Sequence, residues 1–454
     1  MSDPKPQVEP HPRVEADPHQ PQPKPRTRLR ALQRDDHAAV TALLQRYHWP
    51  VARSRAGWEW ALFDSPAREA TDADAGWVLE HGSDVVGFLG NLPVLCRHDG
   101  APVWGATCTT YLVDDAHRAH STRLMRAFAA QPGAAFLYSA TANVHSAPVY
   151  KGFRFQPAPQ PEANQRLRWL AHEGSAARAL AARLGLQAAA PIAQALGSLW
   201  ARTRHLWESP PPSAGLSVER LLATDLALPR GSPWPQAWNT WAKAMWSRPG
   251  LWVDRSAATL AWRLSDPDLS DDLALWALRD SQGRMLGMAM ARKLAAQGNA
   301  APRAELMDWA LLNTAPAEAA PLLMHTVRSW ASSCRMACVD AKRWTRGSAH
   351  QLATLSPRID RLPDDSVWLL VNRRPGMPEL PDWPSWDMTG ADSDDWFCTY
   401  RLEAEGDAKP WVRPPSVPPV HRSASDGDKA SDSASTSSAA DSTTEGSKRS
   451  MSTF

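Results

Sequence analysis

Apolar and polar positions change period along this chain, and the changes mark elements. Residues 28–32 alternate as a short strand. Asp35 or Asp36 then caps a helix that carries Val40, Leu43 and Leu44 towards Tyr47. Trp58, Trp60, Leu62 and Phe63 follow and close at the turn Asp64-Ser65-Pro66. Residues 76–81 and 84–96 read as two strands joined at Gly82-Ser83, a hairpin. Residues 106–113, rich in β-branched and aromatic side chains, predict another strand, and 114–120 suits a polar loop. Ser121 suits the cap of a helix whose Leu124, Met125 and Phe128 recur at helical spacing, stopped by Pro132-Gly133. Residues 136–141 read as a strand, a short helix follows Asn143, and 152–155 return as a strand. Strand, loop, helix and parallel strand make a crossover unit.

The pattern then changes and repeats. Residues 166–207 are rich in Ala, Leu and Arg and read as two helices broken near Gly185 or Pro191. No formal charge falls within 184–201. A packed inter-domain helix pair is the expected reading. The alternatives are a helix lying on a membrane surface, flanked by Arg178, Arg183, Arg202 and Arg204, and, from length alone, a span. Residues 216–222 open a second copy, and Trp238, Trp241 and Met245 fall on one helical face. Trp60-Ala61-Leu62-Phe63-Asp64 aligns with Trp262-Arg263-Leu264-Ser265-Asp266. A second hairpin, 273–280 with 285–293, places Gly287 where Gly87 stood, and 305–312, 321–330 and 337–340 repeat strand, helix and strand. The same elements at a shift of about 200 residues mean duplication. Residues 367–372 read as a late strand. Residues 386–394 read as a solvated polar turn rather than a cation loop, since the aspartates lack the spacing of a calcium-binding loop.

Composition narrows the function. The 454 residues leave room for two or three domains, and a formal charge of +2 gives no basic field for nucleic acid. Five cysteines form no metal-ligand spacing, fit a reducing compartment and imply no metal. The N-terminus lacks an apolar secretory segment, and the expected location is cytoplasmic. The 23 tryptophans read as core and interface residues. Proline and charge in 1–27, and serine, aspartate and proline in 404–454, predict disordered tails.

The stretch from Gly105 to Phe155 resembles the core of the GNAT superfamily of acyl-CoA-dependent N-acyltransferases. Val113, Asp114 and Arg118 match the opening of its cofactor motif. Arg118-Ala119-His120-Ser121-Thr122 occupies the anion turn, with alanine and serine where the family has glycines. Asn143, Ala147, Tyr150 and Gly152-Phe153 match its later signature. The resemblance implies an α/β fold with a mixed sheet, here as two tandem GNAT-like N-acyltransferase domains joined by a helical linker. The expected boundaries are 28–156, a linker over 157–215, and a degenerate second copy over 216–403. It implies acetyl-CoA or another acyl-CoA as co-substrate. Leu112, Val113, Arg118, Ala119, His120, Ser121, Thr122 and Asn143 would bind it, through backbone N–H groups on a splayed strand and at a helix N-terminus. Tyr150 is the positional match for the acid that protonates the leaving thiolate. No carboxylate stands on 106–113 as base, and His117, His120 and His145 read as loop residues. Asp308, with Glu305, lies on the equivalent strand of the second copy and is the candidate base or amine anchor. Asn313–318 replaces the anion turn there and places Glu318 against phosphate, so the second copy is expected to shape the acceptor site instead. The expected partners are a small-molecule or sugar amine and a peripheral membrane surface through 166–207. Two other readings stand beside the enzyme: a degenerate GNAT-fold binding or scaffold protein, and a Fem-type aminoacyl transferase.

Overall fold

The computed structural model describes residues 26–47, 53–142, 146–158, 165–204, 215–227, 232–296, 301–342, 345–361 and 367–397. Asn143, His145 and nearly all of both expected tails lie outside them. The chain forms β1 (Thr27–Ala31), α1 (His37–Arg46), α2 (Arg55–Leu62), α3 (Pro66–Thr71), β2 (Gly76–His81), β3 (Asp84–His98), β4 (Ala101–Val113), α4 (Ser121–Ala129), β5 (Phe136–Ser139), α5 (Ala147–Gly152), β6 (Gln156–Pro157), β7 (Gln165–Leu170), α6 (Glu173–Arg183) and α7 (Ala190–Arg204). It continues as β8 (Ser217–Leu221), α8 (Ala223–Ala227), α9 (Trp234–Trp246), β9 (Leu251–Val253), α10 (Ala257–Leu264), β10 (Leu273–Arg279), β11 (Met285–Leu294), β12 (Arg303–Leu311), α11 (Ala319–Ser333), β13 (Cys338–Lys342), α12 (Arg346–Ala353), β14 (Arg358–Arg361), β15 (Trp368–Val371) and β16 (Trp386–Asp387).

Two mixed sheets result. The first runs β1-β2-β3-β4-β5-β15-β6 and the second β8-β10-β11-β12-β13-β7-β14. The first also carries β9 from the second half, antiparallel to β3, with β16 parallel to β9; otherwise the orders match strand for strand, apart from the exchange of β7 and β15. After β6 the chain enters the second sheet as β7, antiparallel to β13 through pairs such as Val339↔Trp169. After β14 it returns to the first sheet as β15, antiparallel to β5 through Leu370↔Leu137. Residues 165–170, expected to be helical, are therefore a strand of the second sheet, and the late strand of the second copy belongs to the first sheet. Their sequences explain this. Leu167 and Trp169 alternate inward, as does Trp368, and each needs a half-buried pleat to fill. The expected strand 152–155 is replaced by the end of α5 and a turn at Arg154, φ 65°, before a two-residue β6.

Each sheet carries helices on both faces. Leu124, Met125, Phe128 and Tyr150 from α4 and α5 cover one face of the first sheet, and Leu43, Trp58 and Leu62 from α1 and α2 cover the other. In the second, Leu323 and Val327 of α11 lie opposite Trp238 of α9 and Leu260 of α10. The repeated segments, α2 and α10, meet each other. The indoles of Trp60 and Trp262 stack with centroids 4.5 Å apart and planes 19° apart. Trp60 Nε1 donates to the carbonyl of Trp262 at 3.0 Å, and Trp262 Nε1 donates to that of Trp60 at 3.2 Å. This reciprocity is what a twofold-related pair of helices produces.

Residues 386–397 run between the halves as a strap. Asp387, Thr389, Asp392 and Asp394 are buried, which corrects the expectation of a solvated turn. Partners replace water around them: Arg255 and Ser348 bond Asp387, and Thr389 bonds Asp392. Outside the cores, α7 packs on α6, where Gly197 and Gly174 bring the two backbones together. The opposite face of α7 leaves Ile192, Leu196, Leu199 and Trp200 more than half exposed. No helix among the described residues is long and apolar enough to cross a membrane.

Exchanged strands tie the two sheets into one cooperative unit. Calorimetry is expected to record a single unfolding transition, and two separated peaks would contradict this. Trp60→Ala removes the stacked ring and one of the reciprocal bonds. It is expected to cost about 3–5 kcal/mol in denaturant unfolding, against under 1 kcal/mol for a surface change.

Candidate active site

β4 and β5 are parallel and paired at Gly105↔Phe136, Ala106↔Leu137 and Thr107↔Tyr138, and beyond Thr107 they part. From Cys108 to Val113, β4 therefore has a ladder with β3 on one side and an opening on the other. A bulge lies within this segment. The register passes from Gly90↔Thr109 to Phe88↔Leu112, and Thr110 takes φ 55°, a strained value for a β-branched residue. Leu112 and Val113, expected to present N–H groups to a thioester, are back in register with β3 just after it. The sequence gives no sign of the bulge, since threonine favours the ordinary pleat.

The opening has two faces. On one, Cys108 and Val113 pack with α4 and α5. There the Tyr150 hydroxyl lies 3.1 Å from Cys108 Sγ, and the ring packs against Phe155 and Trp368, the latter from the exchanged strand. Burial pushes the Tyr150 pKa well up and that of Cys108 up to about 12, so both hold their protons at neutral pH. On the other face, Thr107 reaches a cleft between the halves. Ser65, Asp254, Thr259, Arg263, Asp392 and Trp396 also line it. The cleft thus touches β4 at the last residue paired to β5, on the side of the sheet opposite Tyr150.

The expected anion turn is built differently. Asp115–His120 is a 3-10 helix that runs into α4. His117 N donates to the carbonyl of Asp114, and Ser121 N donates to that of Arg118. The free helix end lies further back and is already served: Asp115 N donates to the Tyr47 hydroxyl at 2.8 Å, and Ala116 N to Asp114 Oδ1 at 3.2 Å. Two carboxylates, Asp114 and Asp115, stand there, and exposed Arg118 pairs with Asp115 at 2.8 Å. Arg118, Ala119, His120, Ser121 and Thr122 are thus a helical surface, with Ser121 inside the helix rather than capping it. The Asp114 carboxylate competes for the N–H groups that glycines would have left to a phosphate.

The second sheet repeats the opening and fills it. β12 and β13 pair through Glu305↔Asp340 and then part. Gly390 of the strap sits in the gap, where a Cβ would lie 3.3 Å from the carbonyl of Met307 and 3.4 Å from that of Lys342. Asp308 is fully enclosed, with both carboxylate oxygens 3.0 Å from Arg255 Nε, and Arg255 Nη1 reaches Asp387 at 2.5 Å. Burial raises the Asp308 pKa against the pull of Arg255. Asp308 does not line the cleft that reaches Thr107, and the structure does not bring it together with Tyr150. Glu305 is bound by Arg292 at 2.5 Å and Lys342 at 3.3 Å. Burial raises its pKa, but Arg292, Lys342 and Arg303 overcome this and leave it well lowered. Both carboxylates are buried and engaged in ion pairs. No group of histidines, cysteines and carboxylates among the described residues is arranged to hold a metal ion.

No family model and no curated protein matches the sequence. Solved structures similar to the chain include a GCN5-related N-acetyltransferase from Kribbella flavida, 15% identical with a TM-score of 0.44, over 76% of this chain and 71% of that one. A probable N-acyltransferase from Enterococcus faecalis V583 is 10% identical with a TM-score of 0.46, over 76% and 73%. Saccharomyces cerevisiae N-myristoyltransferase with bound myristoyl-CoA and inhibitors is 12% identical with a TM-score of 0.47, over 83% and 88%.

The low Glu305 pKa fixes a pH dependence. An acid with a depressed folded pKa contributes stability above its unfolded value, about 4.3, and loses that contribution as pH falls through the folded pKa. Wild-type stability in urea is expected to fall below about pH 4. Glu305→Gln is expected to be about 3–5 kcal/mol less stable at neutral pH, with a shallower acid limb. An unchanged acid limb in that variant would show that Glu305 is not among its causes.

Proposed function

We propose that the chain transfers an acyl group from an acyl-CoA to an amine at the opening of the first sheet. The observation that carries this is the parting of β4 from β5 beside a bulge, with the Tyr150 hydroxyl on one face and the cleft at Thr107 on the other. β4 backbone groups there lack a strand partner on the β5 side and suit a thioester carbonyl, whose oxygen gains charge as the amine attacks. The amine arrives neutral from the cleft, its nitrogen bonds the carbonyl carbon, and the carbon–sulfur bond breaks. The amine's proton leaves to solvent and the thiolate takes one. Tyr150, held protonated, donates a hydrogen bond to the departing sulfur. Nothing marks the acyl chain length; acetyl is the simplest case.

The thioester end of coenzyme A fits these residues and the diphosphate end fits less well. Without free N–H groups at the turn, Arg118, His120, Ser121 and Thr122 offer side chains instead. A second reading, a GNAT-like fold kept as a binding module, is favoured by Asp114 and Asp115 at the helix start.

Titration calorimetry with acetyl-CoA and longer acyl-CoAs separates the two, since the binding module is expected to give no heat. Arg118→Glu is expected to weaken acyl-CoA binding about tenfold or more, and unchanged affinity would remove that residue from the site. Tyr150→Phe is expected to lower turnover roughly a hundredfold with acyl-CoA affinity intact. A merely structural tyrosine would cost about 1 kcal/mol of stability and leave the rate unchanged. Rate and melting temperature are therefore measured together.

A further inference from the structure

The wall of the cleft is chemically uneven. Arg263 on α10 gives one amino group, Nη2, to Asp392 Oδ1 at 2.8 Å. Its Nε and Nη1 are buried and meet no acceptor among the described residues. Thr107, 1% exposed, has a hydroxyl in the same condition. A buried guanidinium N–H is costly to leave unbonded, and Nε and Nη1, on different sides of the group, each offer one charge-assisted bond to a carboxylate oxygen. The cleft also holds Asp254, whose oxygens accept from Ser256 N, Ser256 Oγ and Thr259 Oγ1. It pairs with no cation among the described residues. One cleft therefore offers two unbonded cationic N–H groups and a carboxylate not neutralised by a cation. The duplication sharpens the point. Arg263 answers Ala61 in the repeated segment, and both residues line this cleft. The guanidinium is present in one copy alone, so neither the packing of the helix nor the tryptophan pair requires it.

We infer that the amine acceptor is a small amino acid. Arg263 and Thr107 take its carboxylate and Asp254 takes its ammonium before the proton is lost. This rests on the acyltransferase reading and names the substrate class of that site. The Arg263–Asp392 pair is neutral as a unit, so the ligand's carboxylate meets donors rather than net charge, and the Asp254 charge matches the ammonium.

The test has two arms. In the first, calorimetry without acyl-CoA compares alanine, alaninamide and ethylamine on the full chain. Alanine is expected to bind about tenfold or more tightly than either analogue, and equal binding of alaninamide or ethylamine overturns the inference. In the second, acyl transfer from acetyl-CoA is measured across the same three amines. Transfer to all three at equal efficiency overturns the acceptor class and leaves the acyltransferase reading standing. Absence of transfer to any of them, with acetyl-CoA unbound, removes that reading while the first arm still decides the amino-acid site. Arg263→Lys and Arg263→Gln are both expected to raise KM for alanine about tenfold with little change for ethylamine; both are also expected to lower the melting temperature, because Arg263 pairs buried Asp392, so the ratio of the two KM values is the readout. An equal effect on both amines assigns Arg263 to structure and overturns the inference.

Discussion

A single buried cation, Arg53, holds the two halves to each other and to the strap. Its guanidinium bonds both oxygens of Asp266 in the other half, at 3.0 and 2.9 Å, and donates to the carbonyls of Trp396 and Phe397. Trp60, Trp396 and Phe397 lie within cation–π reach of it. A guanidinium with almost no exposure is tolerable in the interior when its faces and edges are occupied, and here the named neighbours come from three stretches of chain, at Trp60, at Asp266 and at Trp396-Phe397. Gly57 completes the arrangement, because a side chain there would collide with the Asp268 carboxylate. The tryptophan pair, the strap and the cleft all sit against this group, so the site walls inherit their positions from it.

The two copies share a frame and have diverged in what fills it. Each sheet parts between its fourth and fifth strands, as β4 from β5 and β12 from β13. In the first the strap passes beside the opening as well, where the Tyr138 hydroxyl donates to the Asp392 carbonyl and Thr141 Oγ1 to the Asp394 carboxylate. In the second, Gly390 of the strap occupies it and the carboxylates beneath are locked by Arg255, Arg292 and Lys342. The buried carboxylates of Asp308 and Glu305 in the second copy are thus both held in ion pairs.

Much of the frame was legible in the sequence because it rests on local pattern. The hairpin at Gly82-Ser83 follows from period-2 alternation, and the match of Trp60 to Trp262 from the shared spacing of Trp, Leu and Asp in residues 60–64 and 262–266. The structure places those two rings in contact. What stayed hidden depends on long-range competition. Residues 165–170 lie beside a helical Ala-rich run, and nothing local reveals that their partner is β13. The aspartates of the strap read as solvated because their partners, Arg255, Arg263 and Ser348, are far away in sequence. At the candidate site the spacing singles out Tyr150, whose hydroxyl lies 3.1 Å from Cys108 Sγ. Arg118 to Thr122 were read as a turn because loop-like residues there equally suit a 3-10 helix, and the choice falls to Asp114 as its cap. Arg263 and Asp254 escaped notice, since a lone arginine and aspartate carry no motif.

The strand exchange has a consequence for how the protein is made. Synthesis delivers β5 and β6 early, yet β15, which lies between them, belongs to residues 368–371. While the ribosome works through the intervening segment, the first sheet carries two unclosed edges and an uncovered Tyr150 ring. Exposed strand edges recruit other strands, so this interval is the chain's most vulnerable time. β7 meets the converse difficulty, since it is finished long before β13 exists to receive it. Neither half can mature ahead of the other. The first sheet is therefore complete only once residues 368–371 have emerged, a wait that two fused but self-contained domains would have escaped.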